Sequence, residues 1–375
     1  MSALAAWAEL LRVSALVTVP GDALAGAASV GLRPNRRTAL AVGASLCLYE
    51  VGMALNDWAD RDEDALDRPH RPIPSGRIAP GAALAAAGTL TAAGLTLAAR
   101  AGRPALATAT ALAATVWAYD LHLKHTGLGP PTMAAARALD LLLGAAATAY
   151  RAPGAATGPA GTAGRPMRQA LPHAALLGAH TYAVTTISRH EAHGGPSAVP
   201  LAALAATSAL GAIAARTRAA RNRPSAVLAR PGRGRGTQSP SGPRTVGPGA
   251  QPLTWRSCIS TLPRRGGTGE LLRPPPAPPA SHNPALRTAH WAAEQFATPA
   301  GIAAAAYLHT AAKPYLHAAL NPSPPLTQRA VGSGIKAMIP LQAALAARAG
   351  AAGTGAVLLA LAPLARRLAR KVSPT

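Results

Sequence analysis

Between Arg77 and Arg100 the run Ile78–Ala99 carries no charged side chain. At 1.5 Å of rise per residue, some twenty apolar residues reach ~30 Å, the thickness of the hydrocarbon core of a bilayer. Inside hydrocarbon, backbone N–H and C=O groups have no water to bond, so such a run must satisfy them internally as an α-helix. A membrane-embedded helical chain is therefore expected. Composition agrees, with 49% hydrophobic and only 14% charged residues, where soluble domains average about 25% charged. Aromatic residues make up 3% and the apolar content is mostly Ala, Leu and Val. Helices of this kind approach one another through small side chains.

Further apolar segments punctuate the chain. Met1–Val30 is interrupted by Glu9, Arg12 and Asp22 and lacks the basic start and cleavage site of a secretory signal, so it reads as a retained first span. Later spans are expected at about Thr38–Trp58, Ile78–Ala99, Ala105–Tyr119, Met133–Tyr150, Gln169–Ser188, Ala198–Ala215, Pro299–Leu320 and Ala330–Ala347. A shorter one at Ala351–Ala365 precedes a basic tail at Arg366–Lys371, and Asn321–Pro325 reads as a turn. The fold expected is all-α, a multi-pass transmembrane helical bundle of about nine spans with one extra at the C-terminus. Arg137 and Asp140, at i and i+3 of the fifth span, are expected to form a structural ion pair. Glu50, within the second span, is a further functional candidate, because an ionisable group at membrane depth faces the bundle interior.

A net charge of +23 would suggest nucleic acid as a partner if it were spread over the fold. More than half of it is concentrated elsewhere: residues 216–290 hold 13 arginines against one acid, Glu270. That stretch is rich in Gly, Pro and Ser, buries too little apolar surface to offset its conformational entropy, and is expected to be disordered. It carries no base-stacking aromatic besides Trp255, so no nucleic acid partner is expected. Three regions result: 1–217 with the first seven helices, 218–292 as a basic low-complexity insertion, and 293–375 with the remaining helices. Cys47 and Cys258 lie in dissimilar segments and suggest no disulfide.

The chemistry-bearing residues gather at helix ends. Six of the 14 acidic residues fall between Asp57 and Asp67. Asn56, Asp60 and Asp64 stand at i, i+4 and i+8, one face of a helix. Like charges so placed repel unless a cation neutralises them; hard oxygens suit Mg²⁺, although a solvated acidic helix end has the same pattern. Directly after them comes the stiff basic turn Arg68, Arg71, Pro72, Ile73, Pro74, Ser75, Gly76. Tyr119, Asp120, His122, Lys124 and His125 close the fourth span, and Arg189, His190, Glu191 and His193 close the sixth. His190 and His193, at i and i+3, read as interfacial in preference to a metal pair.

The order N-D-x-x-D-x-x-x-D followed by D-R-x-x-R-P-I-P-S-G, beginning at Asn56, resembles the first signature of the UbiA family of intramembrane prenyltransferases. The Tyr-x-x-x-Leu-Lys arrangement ending at Lys124 is similar to the loop after that family's fourth helix. The resemblance covers about 1–217 and, more loosely, 295–348. It implies a polyprenyl diphosphate donor bound through Mg²⁺, with Asn56, Asp60 and Asp64 as metal ligands and Arg68, Arg71, Lys124 and Arg189 on the diphosphate. A hydrophobic, aromatic or lipid-like acceptor and residence in the cell membrane are implied with it. The family's second Asp-rich motif, at the end of the sixth helix, holds a second metal. This chain has Glu191 there, which is carried over both as metal ligand and, with Asp60 and Asp64, as catalytic residue. The single acid leaves room for a carrier that holds a prenyl lipid without turning it over. A transporter fits less well, since the charges sit at helix ends and not within broken helices.

Overall fold

The computed structural model describes residues 3–150, 165–216 and 297–372. The basic segment expected at 218–292 and the partner cysteine Cys258 lie outside them, as does most of the loop expected at 152–168. Every regular element among the described residues is helical. The first expected span is not one helix: α1 (Ala3–Leu10), a 3-10 turn (Val13–Thr18) and α2 (Pro20–Ser29) divide it. The break falls at Arg12, whose φ of 48° is left-handed, a conformation that costs a residue with a Cβ. Pro20, a residue lacking an N–H, then opens α2 where no intrahelical donor is needed.

Proline and small polar residues set most of the other boundaries. α3 (Arg36–Ala59) starts at a reciprocal cap, in which Asn35 Oδ1 accepts from Arg37 N and Thr38 N while Thr38 Oγ1 accepts from Asn35 N at 2.9 Å. α4 (Arg61–Asp67) begins directly after Asp60. α5 (Pro80–Ala101) and α6 (Arg103–Ala118) are separated by Gly102 at φ 136°, where a Cβ would also run into the Tyr150 ring. A π-turn (Tyr119–Leu123) ends α6. Next come α7 (Gly129–Ala149), α8 (Arg165–Ser188), α9 (Ala198–Ala215), α10 (Pro299–Leu320), α11 (Pro324–Arg348) and α12 (Ala352–Val372). α11 begins six residues before the expected Ala330 and absorbs the end of the turn expected at Asn321–Pro325, because Pro324 and Pro325 occupy its first positions. The tail expected after Ala365 continues α12.

Among the described residues five helices, α3, α5, α7, α9 and α11, are long and apolar enough to cross a membrane. Of the other expected spans, α6 has 16 residues, while α8 and α10 include histidines, an internal proline and, in α10, Lys313. The apolar side chains form two clusters. One draws on α1, α3, α5 and α6, the other on α8 to α12, and α2 and α7 contribute to both. α2 and α7 lie in backbone contact: a Cβ on Gly26 would strike the Leu141 carbonyl, and one on Gly144 would strike the Ala23 backbone. Two glycines thus allow the approach that joins the halves. Within the second cluster His180 ties three helices together: Tyr307 Oη lies 3.0 Å from Nδ1 and the Gly334 carbonyl 3.0 Å from Nε2. A carbonyl only accepts, so Nε2 carries the proton and Nδ1 accepts from Tyr307.

The ion pair expected between Arg137 and Asp140 is not formed. Arg137 instead donates to Asp22 on α2, and Asp140 accepts from Ser45 Oγ on α3 at 2.7 Å. Spacing along one helix shows which side chains share a face, but the partners came from neighbouring helices that the spacing does not record.

This packing predicts two outcomes. The protein should remain with the bilayer through an alkaline carbonate wash, with recovery in the soluble fraction counting against the five spans. Gly144→Val should destabilise the bundle by about 1–3 kcal/mol through overpacking against Ala23. Gly88→Ala, in open space on α5, should instead gain about 0.5–1 kcal/mol. Unfolding in detergent would measure both.

Candidate active site

The polar end of α3 is held together by alternating charges. Asn56 lies on the last turn, and Asp60 ends the helix with φ −90° and ψ 6°. The hydrogen-bond ladder nonetheless continues: Asp60 N donates to Asn56 O at 3.0 Å, Asp64 N to Asp60 O at 2.7 Å, and Arg68 N to Asp64 O at 2.8 Å. The i, i+4, i+8 register therefore survives the bend. Asp64 is buried, whereas the Asp62 side chain is 86% exposed and points away.

Asp57, Asp60 and Asp64 each have a cation within reach. Arg71 Nη1 lies 2.7 Å from Asp64 Oδ2 and 3.4 Å from Asp57 Oδ1, while Arg68 is 3.5 Å from the other Asp64 oxygen. Arg12, from the break before the 3-10 turn, reaches Asp57 at 3.0 Å. The PIPSG turn that carries these arginines is itself fastened: Ile73 and Ile78 are buried, Ile78 N donates to Pro72 O at 3.0 Å, and Arg77 makes a two-pronged pair with Glu9 at 2.6 and 3.1 Å. Gly76, at φ 73°, reverses the chain.

Lys124 arrives by way of the π-turn. Its N–H bonds to Tyr119 O five residues back, which adds a residue to the turn and re-aims the side chains beyond it. The ammonium thereby comes to 2.5 Å from Asp60 Oδ1, with His125 Nε2 at 3.5 Å from the same oxygen. Within the π-turn the buried Asp120 accepts from Asn56 Nδ2 at 3.4 Å. Arg189, beyond α8, donates to Thr126 O at 2.7 Å and pins the end of α8 to this loop. Glu191 is half-buried; burial raises its carboxyl pKa and the nearby Arg68 opposes the rise. Arg68 thus acts electrostatically on both Asp64 and Glu191.

These groups surround the mouth of a cavity of about 420 Å³. Asn56, Asp120, Ser188 and Glu191 border it, as does Arg12, and its walls include Leu48, Met53, Leu112, Val116 and Met338. Of the site residues that the family resemblance implied, Asn56 and Glu191 line the cavity. Asp60, Asp64, Arg68, Arg71, Lys124 and Arg189 make up the charged lattice and are not among its lining. Glu50 is buried on α3 but likewise does not line it. A group of three ligand-type side chains, Asp60, Glu63 and His125, has donor atoms within 4.8 Å of one another at the surface. His190 and His193 form no such group among the described residues.

Sequence reasoning did not select Arg12, Asp57 and Asp120. Arg12 interrupted an apolar run, Asp57 sat inside the acidic cluster, and Asp120 came after Tyr119 at a polar helix end; each carried a signal. None of these signals named its partner, which lies between 45 and 64 residues away in the chain for Arg12–Asp57 and Asn56–Asp120.

The lattice makes Asp64 the most costly acid to remove, because the change leaves Arg71 with one carboxylate and takes from Arg68 its bond to α4. Asp64→Ala should cost about 1–3 kcal/mol, at the lower part of the range for breaking buried pairs because both arginines are partly solvated. Asp62→Ala should stay within about 0.5 kcal/mol. Equal destabilisation of the two variants in detergent unfolding would count against the lattice.

Residues 14–195, which carry all of the charged mouth except Arg12, match the sequence pattern of the UbiA prenyltransferase family. Digeranylgeranylglyceryl phosphate synthase of Ignicoccus hospitalis is 35% identical over 147 residues, which is 39% of this chain and 48% of that protein. The bacteriochlorophyll synthase 33 kDa chain of Rhodobacter capsulatus is 36% identical over 112 residues, 28% of this chain and 37% of that one. The matched part thus spans less than half the length of these relatives. A solved structure described as giving insight into the biosynthesis of digeranylgeranylglyceryl phosphate synthase in membranes superposes with a TM-score of 0.52, over 93% of this chain and 99% of that chain. At 13% identity this likeness establishes the fold alone. Residues 14–195 of the chain, with the N-D-x-x-D-x-x-x-D signature at Asn56–Asp64 in place, are similar to the UbiA prenyltransferase family.

Proposed function

We propose that the chain transfers a prenyl group from a polyprenyl diphosphate to a hydrophobic, aromatic or lipid-like acceptor within the cell membrane. The observation that carries this reading is an apolar-walled cavity whose mouth bears a lattice of four cations, Arg12, Arg68, Arg71 and Lys124, against Asp57, Asp60 and Asp64. A donor of this class has an apolar chain and a highly charged leaving group, and the two parts of the site match those two parts of the molecule. A volume of about 420 Å³ is within the range of ordinary small-molecule sites, about 300–1,000 Å³.

The residues fit Mg²⁺. Asn56, Asp60, Asp64 and Glu191 offer hard oxygen ligands, and the contacts of Lys124 and His125 to Asp60 both fall on Oδ1. Both Asp64 oxygens are taken by guanidinium groups, so Asp64 becomes available when Arg68 and Arg71 transfer their hydrogen bonds to phosphate. When bound, Mg²⁺ supplies charge neutralisation at the diphosphate oxygens.

Ionisation breaks the C–O bond, and the electron pair leaves with the diphosphate. Arg68, Arg71, Lys124 and Arg189 stabilise that developing charge as preorganised donors. Tyr49 and Tyr119, which border the cavity, are aromatic side chains available to the allylic cation. The apolar walls keep water from it until an acceptor nucleophile forms the new bond and releases its proton.

The carrier reading rests on one observation, the single acid Glu191 at the end of α8. A labelled polyprenyl diphosphate with purified protein in detergent separates the two readings. Transferase activity predicts diphosphate release that requires Mg²⁺ and falls at least 100-fold in Asp60→Ala. Glu191→Gln should lower turnover by about tenfold or more while donor binding through Asn56, Asp60 and Asp64 partly survives. Binding without release by the unaltered protein would support the carrier.

A further inference from the structure

The end of the bundle remote from the charged mouth carries arginines that the cavity does not use. Three stretches distant in sequence meet there around Tyr150. At the start of α3, Arg37 donates to the Tyr150 carbonyl and stacks its guanidinium over the ring, 4.9 Å from the centroid. Beside it Asn35 Nδ2 donates to Thr148 O at 3.2 Å, and the Thr38 and Thr148 hydroxyls lie 2.8 Å apart. The turn between α5 and α6 packs on the same ring at Gly102, where a Cβ would have no room. One aromatic side chain thus brings the stretch with Arg33, Arg36 and Arg37 to the turn with Arg100 and Arg103. Arg33, Arg36, Arg100 and Arg103 are exposed, and none of them has an ion-pair partner among the described residues. No acidic residue lies within ten positions of any of the five in the chain.

We propose that this arginine group is a binding surface for the headgroups of anionic phospholipids in the leaflet opposite the mouth. Its depth fits. Arg36 and Asp57 are 21 residues apart on α3, about 32 Å by helical rise, so with the mouth at one boundary of the ~30 Å hydrocarbon core the arginines stand at the other. Cations gathered without acids repel one another and favour an anion that meets several at once, and guanidinium forks match phosphate oxygens. Arg37 is committed to Tyr150 and holds the platform, while the four exposed arginines are left for the ligand. The surface that continues from them is uncharged: Leu32, next to Arg33, is 42% exposed, and Ala92, Thr96 and Ala99 are exposed along one face of α5 below Arg100. A soluble phosphate would use only the cations, whereas a phospholipid places its headgroup on them and its acyl chains against α5. The inference stands apart from the prenyl-transfer reading, since it involves no residue of the cavity or its mouth.

The test is native mass spectrometry of the full chain in detergent with equal amounts of dioleoylphosphatidylglycerol, which is anionic, and dioleoylphosphatidylcholine, which is zwitterionic. The unaltered protein should retain the phosphatidylglycerol at least about 10-fold in preference, and added salt should weaken that preference. The combined variant Arg33→Gln, Arg36→Gln, Arg100→Gln, Arg103→Gln leaves Arg37 on Tyr150 and should bring the preference to within about twofold. The basic stretch 216–290 is the competing source of charge, so a second variant, Arg230→Gln, Arg233→Gln, Arg235→Gln, Arg244→Gln, removes the same number of cations from it and should keep the preference above about fivefold. Equal retention of the two lipids by the unaltered protein overturns the proposal without recourse to any variant. A preference that survives the first variant, or one that is lost in the second, overturns it as well.

Discussion

Arg71 holds the mouth of the cavity together. Its Nη1 lies between Asp64, on the short helix after the bend, and Asp57, on the last turn of α3. A cluster of carboxylates at the end of an apolar helix is unstable by itself, since neighbouring like charges repel and burial raises the cost of each. One guanidinium with five donors in a fixed fork can meet two carboxylates where an ammonium would serve one well. The turn Pro72–Gly76 must bring Arg71 back over the helix it has just left, and Ile73, Ile78 and the Arg77–Glu9 pair hold it there. The local fold is therefore set by charge pairing as much as by apolar burial, and the same pairs are the ones a diphosphate would exchange.

Behind that mouth, the cavity is a product of how the two halves meet. α2 and α7 pack backbone to backbone through Gly26 and Gly144 and contribute to both apolar clusters. Helices that approach this closely leave little room for side chains between them, so space remains farther out, between α3 and α6 on one side and α8 and α11 on the other. The lining reflects that placement: apolar residues from facing helices, with polar groups where helices end or where α2 and α7 bring charge inward. Hydrogen bonds from His180 to α10 and α11 brace the far wall.

Much of this was legible in the sequence. Ile78–Ala99 required a membrane helix, and the Asn56, Asp60, Asp64 spacing survives in the backbone ladder even though the helix bends at Asp60. The lost parts are those in which identity does not specify a partner. Arg137 and Asp140 were adjacent on one face, yet Arg137 pairs with Asp22, 115 residues away. The first span was apolar enough to read as one helix, while Arg12 turns the chain through a left-handed conformation to reach Asp57. In Ala-rich segments the side chains are too alike to encode which faces meet, and the polar residues that do encode it announce only their type.

The two ends of the cavity differ in a way that limits how a long apolar chain can lie in it. At the mouth the charges are paired in excess of what an apolar group tolerates, and at the inner end Asp22, Arg137 and Asp140 are equally unsuited to hydrocarbon. A prenyl chain running straight from Asn56 toward Ser45 would end against those charges. The apolar walls between, Leu48 and Met53 on α3, Leu112 and Val116 on α6 and Met338 on α11, offer it a sideways course, and the surrounding lipid is the natural continuation for whatever length exceeds the cavity. On the proposed function, such a site would read the head of its donor closely and the length of its tail loosely, because each further isoprene unit beyond the walls would meet bilayer instead of protein. Selectivity on that reading is left to the charged mouth, where the diphosphate would be held.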